Sequence, residues 1–152
     1  MPNIFNDDFR DFITALNEQN VEYILIGGYS VILYGYARTT GDLDIWVNKS
    51  TENYLRLMQA FHQFGMSLFD MTESNFLNNP NFDVFTFGRP PVSIDIMTEV
   101  KGLEFRKAFE RSKMIEVEGL SLRLIYLDDL LHAKKSSSRA KDMNDIENLK
   151  ED

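Results

Sequence analysis

Cysteine is absent from the sequence. Disulfides, thiolate zinc sites and cysteine nucleophiles are therefore excluded. The absence fits a reducing compartment, so a cytoplasmic protein is expected. Histidine is scarce: His62 and His132 are the two in the chain, and neither has a second histidine at metal spacing. Both read as structural or surface residues. No stretch approaches the roughly 18 apolar residues that a membrane span needs. Met1 to Arg10 carries Asp7 and Asp8 and no apolar run, so no secretory signal is expected there. Basic charge is also short. The net charge of −8 argues against non-specific binding to a phosphate backbone. It leaves one local basic candidate, the stretch Lys134, Lys135, Arg139 and Lys141. Internal repeats and low-complexity linkers are missing.

What remains is an ordinary globular composition. The 152 residues are 43% hydrophobic and 26% charged, which predicts a single domain over 1–152 with a core of its own. Phe9, Phe12, Ile13 and Leu16 repeat at helical spacing, with Asn6 or Asp7 as the cap. Val21 to Ile26 reads as a buried strand, broken by Gly27-Gly28, with a short helix over Tyr29 to Tyr34. Asp42 to Val47 reads as a second strand. Tyr54, Leu57, Met58 and Phe61 mark a helix ended by Gly65. Met66 to Phe82 is ambiguous, with a turn at Asn78-Asn79-Pro80-Asn81. Val84 to Phe87 and Val92 to Met97 read as strands, and Leu103 to Phe109 as a helix. Lys113 to Val117 and Leu120 to Ile125 form a hairpin turning at Glu118-Gly119. Helices over Leu127 to Lys135 and Arg139 to Leu149 close the chain. The order implies an α+β fold: a mixed β-sheet with packed helices.

Three features carry chemistry. Gly27-Gly28-Tyr29-Ser30 lies where a strand gives way to a helix. The glycines let backbone approach a ligand, and the first helical amides favour an anion such as phosphate. A plain turn would need the same glycines. Asp42 and Asp44 stand at i and i+2 of a strand, hence on one face, while Leu43 and Ile45 pack inward. Like charges so close call for a counter-ion, and a hard cation such as Mg²⁺ prefers oxygen ligands. A solvated strand face is the plain alternative. Asp95 sits inside the apolar run Val92-Ser93-Ile94-Asp95-Ile96-Met97. A carboxylate there needs a partner: a metal, an arginine or backbone amides.

The ordered set is more specific than its parts. Ile26-Gly27-Gly28-Tyr29-Ser30, then Gly35, Arg38 and Thr39, then Asp42-Leu43-Asp44-Ile45 resembles the nucleotidyltransferase superfamily, the polymerase-beta-like group. The chain looks most like its small stand-alone bacterial members, the antitoxin-type enzymes of abortive-infection systems and the lincosamide-type enzymes. Asp95 lies where that family carries its third carboxylate. The closing stretch Leu127-Asp128-Asp129-Leu130-Leu131-His132-Ala133-Lys134, with Arg139, Lys141, Asp142 and Asp145, resembles the end of such domains. The resemblance implies a nucleotidyltransferase-like fold. It also implies magnesium-dependent transfer of a nucleoside monophosphate from an NTP, ATP among the candidates, to a hydroxyl acceptor. Asp42, Asp44 and Asp95 would be the metal and catalytic set, holding two Mg²⁺ ions in the manner of a two-metal displacement. Gly27, Gly28, Ser30, Arg38 and Lys134 would bind the nucleotide. One departure stands out: many members place a serine directly after the first glycine, where this chain has Gly28 and reaches its nearest serine at Ser30.

The residues outside this set have plainer readings. Arg38 suits a phosphate or the aspartates, and equally a surface loop. Lys134 and Arg139 suit triphosphate charge, though Arg139 and Asp142 at i, i+3 also suit a surface pair. Trp46 reads as core before base-stacking residue. The acceptor is left open between an RNA end such as tRNA, a protein side chain and a small molecule. The alternative to an enzyme is an antitoxin-like module that binds and neutralises a partner protein, as in a toxin–antitoxin pair. A phosphohydrolase or kinase ranks last, because the phosphate loop with its lysine is missing.

Overall fold

The computed structural model describes residues 4–36, 40–89, 92–137, 145–147 and 149. Asn6 Oδ1 accepts the Phe9 amide at 2.8 Å and so starts helix α1, Asp7–Glu18. The face spaced for a helix is the buried one: Phe9, Phe12, Ile13, Ala15 and Leu16. Strand β1 is Tyr23–Ile26, two residues shorter than the apolar run. The Val21 amide donates to the Leu16 carbonyl at 3.0 Å, so the run's first residues finish the helix end. Helix α2, Gly27–Leu33, begins at the glycine pair rather than after it. Gly27, at φ +73°, turns the chain from strand to helix without a spacer.

Strand β2 is Asp42–Val47, as the sequence predicts. Helix α3, Thr51–Phe64, starts at Ser50, whose Oγ accepts the Asn53 amide, and stops at left-handed Gly65. The ambiguous segment contains a short helix α4, Glu73–Asn78, capped by Thr72. Strands β3, Val84–Arg89, and β4, Val92–Met97, pair antiparallel. Helix α5, Phe105–Arg111, starts two residues later than its apolar pattern. Strands β5, Lys113–Val117, and β6, Leu120–Leu124, form the expected hairpin, with Glu118 and Gly119 both at positive φ. Helix α6 is Leu127–Ser137, and residues 145–147 and 149 are helical.

The six strands form one mixed sheet in the order β3-β4-β2-β1-β6-β5. β2 runs parallel to β4 and antiparallel to β1, and β1 runs parallel to β6. The two faces of the sheet differ. One is apolar, with Leu43, Ile45, Ile94, Ile96, Phe85 and Phe87 all buried. Helices α1, α3 and α4 cover it through aromatic contacts, including Phe12 on Phe61, Phe61 on Phe87 and Phe76 on Phe85. The other face carries the carboxylates of β2 and β4. Further along β2, Trp46 meets Phe105 of α5 edge-on at 5.2 Å, which makes it a core residue. The chain is thus α+β with a mixed sheet. No helix among the described residues is long and apolar enough to cross a membrane.

Candidate active site

Strand pairing assembles the three aspartates. Asp44 is directly opposite Asp95, and Asp42 is opposite Ser93. Neighbouring strands lie about 4.8 Å apart, and paired residues point to the same side. Asp42, Asp44 and Asp95 therefore share one sheet face, and all three are half-buried. Leu43 and Ile45 are fully buried on the opposite face, which fixes which way the carboxylates point.

Two hydroxyls steer these carboxylates. Ser93 Oγ donates to Asp42 Oδ1 at 2.7 Å, and Thr86 Oγ1 donates to Asp95 Oδ1 at 2.8 Å. Tyr29 is buried, and burial followed by the nearby Asp42 charge pushes its phenol up from the usual range. Tyr29 belongs to the glycine motif that the sequence marks, whereas the sequence alone assigns no role to Ser93 or Thr86. Ser93 was within reach of it, standing two residues before Asp95 and so on the same face. Thr86 needed the β3–β4 register.

The glycine turn sits against the same cluster. A Cβ at Gly27 would stand 2.0 Å from Asp44 Oδ2, so the backbone touches that carboxylate where any side chain would displace it. A Cβ at Gly28 would meet Thr40 Oγ1 at 2.6 Å. A threonine hydroxyl thus occupies the space beside Gly28. Ser30 is fully buried, and its hydroxyl donates to the Gly27 carbonyl at 2.5 Å. The structure turns Ser30 inward to hold the turn, and not outward to a ligand. Arg38 lies outside the described residues, as do Arg139, Lys141 and Asp142.

Lys134 is buried on α6. Its Nζ lies 3.1 Å from Asp145 Oδ2, itself buried, which ties α6 to the closing helical segment. Lys134 also lines a cavity of about 210 Å³ between α6 and the sheet, whose wall includes Gly27 and Asp44. The structure therefore brings Gly27, Asp44 and Lys134 to one cavity. Asp42 and Asp95 stand beside it. His62 and His132 are both exposed.

The donor set suits a hard divalent cation: carboxylate oxygens on one face, no thiolate, and a backbone turn held against one of them. Among the described residues, no three carboxylate or imidazole groups are already closed around a common point. Asp42 and Asp95 are instead engaged by Ser93 and Thr86, the arrangement expected of like charges that relieve repulsion through neutral donors.

A family model described as "Nucleotidyltransferase of unknown function (DUF6036)" matches residues 8–150. No match was found among curated protein sequences. Among solved structures, the lincosamide antibiotic adenylyltransferase LnuA, with lincomycin bound, is similar at TM-score 0.58 and 16% identity. That match covers 98% of each chain. The Thermotoga maritima protein TM1012, assigned as a nucleotidyltransferase, is similar at TM-score 0.56 and 14% identity, over 95% of this chain and 91% of its own. A nucleotidyltransferase-like antigenic protein from Paracoccidioides brasiliensis is similar at TM-score 0.52 and 13% identity, over 93% of this chain and 74% of its own. At these identities the likeness is one of fold.

Proposed function

The chain belongs to the DUF6036 family of nucleotidyltransferases, and on that premise we propose that it moves a nucleoside monophosphate from an NTP to a hydroxyl acceptor with the help of Mg²⁺. The observation that carries this reading is the register Asp44↔Asp95 with Asp42 one step along, against the Gly27 turn. Asp42, Asp44 and Asp95 would hold the divalent cations. Bound there, Mg²⁺ supplies neutralisation of phosphate charge and a lowered pKa for the acceptor hydroxyl.

The chain's own residues do the rest. The Gly27–Gly28 backbone brings the phosphates against Asp44. Ser30 holds that turn through the Gly27 carbonyl. Asp95 takes the acceptor's proton as the acceptor oxygen bonds to the α-phosphorus and pyrophosphate leaves. Lys134, held by Asp145 and lining the same cavity as Asp44, would offer its ammonium as a donor on the nucleotide's side. A small molecule or a protein side chain is favoured as acceptor over a long RNA, because the chain carries a net charge of −8. LnuA, named for a small antibiotic, supports the small-molecule arm.

The test is thermal stabilisation by each NTP, with and without Mg²⁺, in wild type and in the Asp42→Asn/Asp44→Asn double variant. A ligand at 100 times its Kd stabilises by about 2.7 kcal/mol. The expected result is a rise in melting temperature that needs both metal and aspartates, accompanied by transfer of labelled monophosphate that Asp95→Asn abolishes. A double variant stabilised as well as wild type would overturn the assignment.

A second reading, a module that binds a partner protein, has one observation in its favour. Phe69 is 72% exposed beside Val84 at the β3 edge of the sheet. A partner that co-purifies unchanged when all three aspartates are replaced would support it.

A further inference from the structure

We propose that the outer edge of β3 is where two copies of this chain meet, their β3 strands pairing antiparallel about Thr86. The inference does not depend on the transfer reading above.

The edge is open. β3 is the terminal strand of the sheet, and among the described residues no strand lies beyond it. The Thr98 amide donates to the Asp83 carbonyl at 3.0 Å, which extends the β3–β4 ladder by one residue and sets its phase. Hydrogen-bonded pairs alternate along an antiparallel ladder. Asp83, Phe85 and Phe87 therefore turn their backbone groups toward β4, and Val84 and Thr86 turn theirs off the sheet. Val84, Thr86 and Gly88 are exposed. Lysine and proline, which commonly blunt an edge, are absent from Val84–Arg89.

Charge and phase together name the occupant. The strand reads Asp83-Val84-Phe85-Thr86-Phe87-Gly88-Arg89, an acid at one end and a base at the other. Two antiparallel copies centred on Thr86 set Asp83 opposite Arg89 of the second copy, and Arg89 opposite its Asp83. Opposite charges facing each other across strands are stabilising. Both fall in non-hydrogen-bonded pairs of the new ladder, where Cα atoms stand about 4.5 Å apart and side chains come closest. Thr86 meets Thr86, each with its backbone groups turned outward, as bonding between the copies requires. Val84 comes opposite Gly88, which has no side chain to crowd it. Centring the pair on Phe85 or Phe87 keeps the phase but sets Asp83 opposite Phe87, or Arg89 opposite Phe85, and loses both ion pairs.

One exposed ring agrees with this. Phe69 is 72% exposed, and its ring stands 6.4 Å from that of Phe87. In the pairing, Phe85 of the second copy comes opposite Phe87 on this same face and covers the Phe69 ring. The two carboxylate clusters then share one face of a continuous sheet.

The experiment is sedimentation velocity of the intact chain over a concentration series, each variant first shown to melt cooperatively. Wild type is expected to reach twice the mass of one chain as concentration rises. Asp83→Arg sets like charges opposite each other in both pairs and should raise the dimer dissociation constant roughly tenfold. Arg89→Asp should do the same. Asp83→Arg/Arg89→Asp restores both pairs in reverse and should return the constant to within about twofold of wild type. Val84→Pro removes an outward N–H without touching the β3–β4 ladder and should leave the chain monomeric. Should Val84→Pro fail to melt cooperatively, the charge reversal and its rescue carry the test. A wild type that stays monomeric overturns the proposal and leaves the edge to a strand of another protein. A dimer indifferent to Asp83→Arg or to a folded Val84→Pro meets through another surface and overturns it likewise. So does a double variant that fails to recover.

Discussion

A methyl group at Gly27 meets two separate obstacles. Its backbone lies at φ +73°, which costs an L-residue about 1–2 kcal/mol. Its Cβ would also stand 2.0 Å from Asp44 Oδ2 and 2.8 Å from Asp44 Cβ, so the carboxylate must leave its place. Gly27→Ala is therefore expected to lower the melting temperature by roughly 2–8 °C, at about 2–4 °C per kcal/mol for a domain of this size. It should also weaken Mg²⁺-dependent NTP binding at least tenfold. Gly28 is the contrast. Its backbone is ordinary, and its Cβ would crowd Thr40, at 2.6 Å from Oγ1 and 2.9 Å from Cβ, so the threonine must shift rather than merely rotate. Gly28→Ala carries no backbone strain and should cost less in the same melt. If it costs more than Gly27→Ala, the glycine pair has been read in the wrong order.

Elements hold the site through their junctions, and Asn53 is the best defined of these. It is buried at the start of α3. Its Oδ1 accepts the Glu22 amide at 2.7 Å, and its Nδ2 donates to the carbonyls of Glu22 at 3.1 Å and Asn48 at 2.8 Å. One amide side chain thus ties α3 to the entry of β1, which leads into Gly27, and to the exit of β2, which carries Asp42 and Asp44. Asn53→Ala strands those backbone groups and should cost about 2–4 kcal/mol in urea denaturation. Ser50→Ala removes a single cap and should cost about 1 kcal/mol. Equal losses would show that the junction is not what Asn53 contributes.

Asn53 also shows where the sequence stops being legible. β2 could be bounded to the residue because Asp42, Asp44 and the apolar Leu43 and Ile45 alternate with period two. The β5–β6 hairpin was marked by Glu118-Gly119, and α3 by its Gly65 stop. The parts that escaped depend on partners distant in the chain. Thr86 is polar on an edge strand and acquires meaning only when pairing sets it beside Asp95. Helix α4 has six residues and one buried side chain, Phe76, too little for a period to show. The resemblance offers Ser30 as a phosphate ligand because it is the serine nearest the glycine turn, with the start of a helix as its plainer reading. The structure starts α2 at Gly27, and that one shift turns the serine toward the interior. The placement of Lys134 opposite Asp145 likewise follows only from how the closing segment packs.

At the scale of the whole molecule, the sheet separates two tasks. Its apolar face, under α1, α3 and α4, holds the fold, and its other face, under α5 and α6, carries the carboxylates on which the proposed function rests. The holding side ends in buried phenols, which gives the stability a signature in alkali. Tyr23 is buried, and burial pushes its phenol up to about 12, outweighing the Arg123 amide, the Arg123 charge and Asn17 beside it. Its hydroxyl donates to Asn17 Oδ1 at 2.7 Å and accepts the Arg123 amide at 3.3 Å, linking the end of α1 to β6. Tyr29, Tyr34 and Tyr54 are shifted upward too, each first by burial. A native pKa above the unfolded one means that the native state keeps its proton while the unfolded state loses it. The contribution is whole below about pH 10 and disappears as pH climbs toward 12. Unfolding free energy should therefore fall over that window. Tyr23→Phe should cost about 1 kcal/mol at neutral pH through the lost hydrogen bonds. The gap between wild type and variant should then narrow as pH rises from 10 to 12, because the variant has no phenol there to ionise. Parallel pH profiles for the two proteins would mean that Tyr23 ionises as readily folded as unfolded, and that the α1–β6 link is not closed around it.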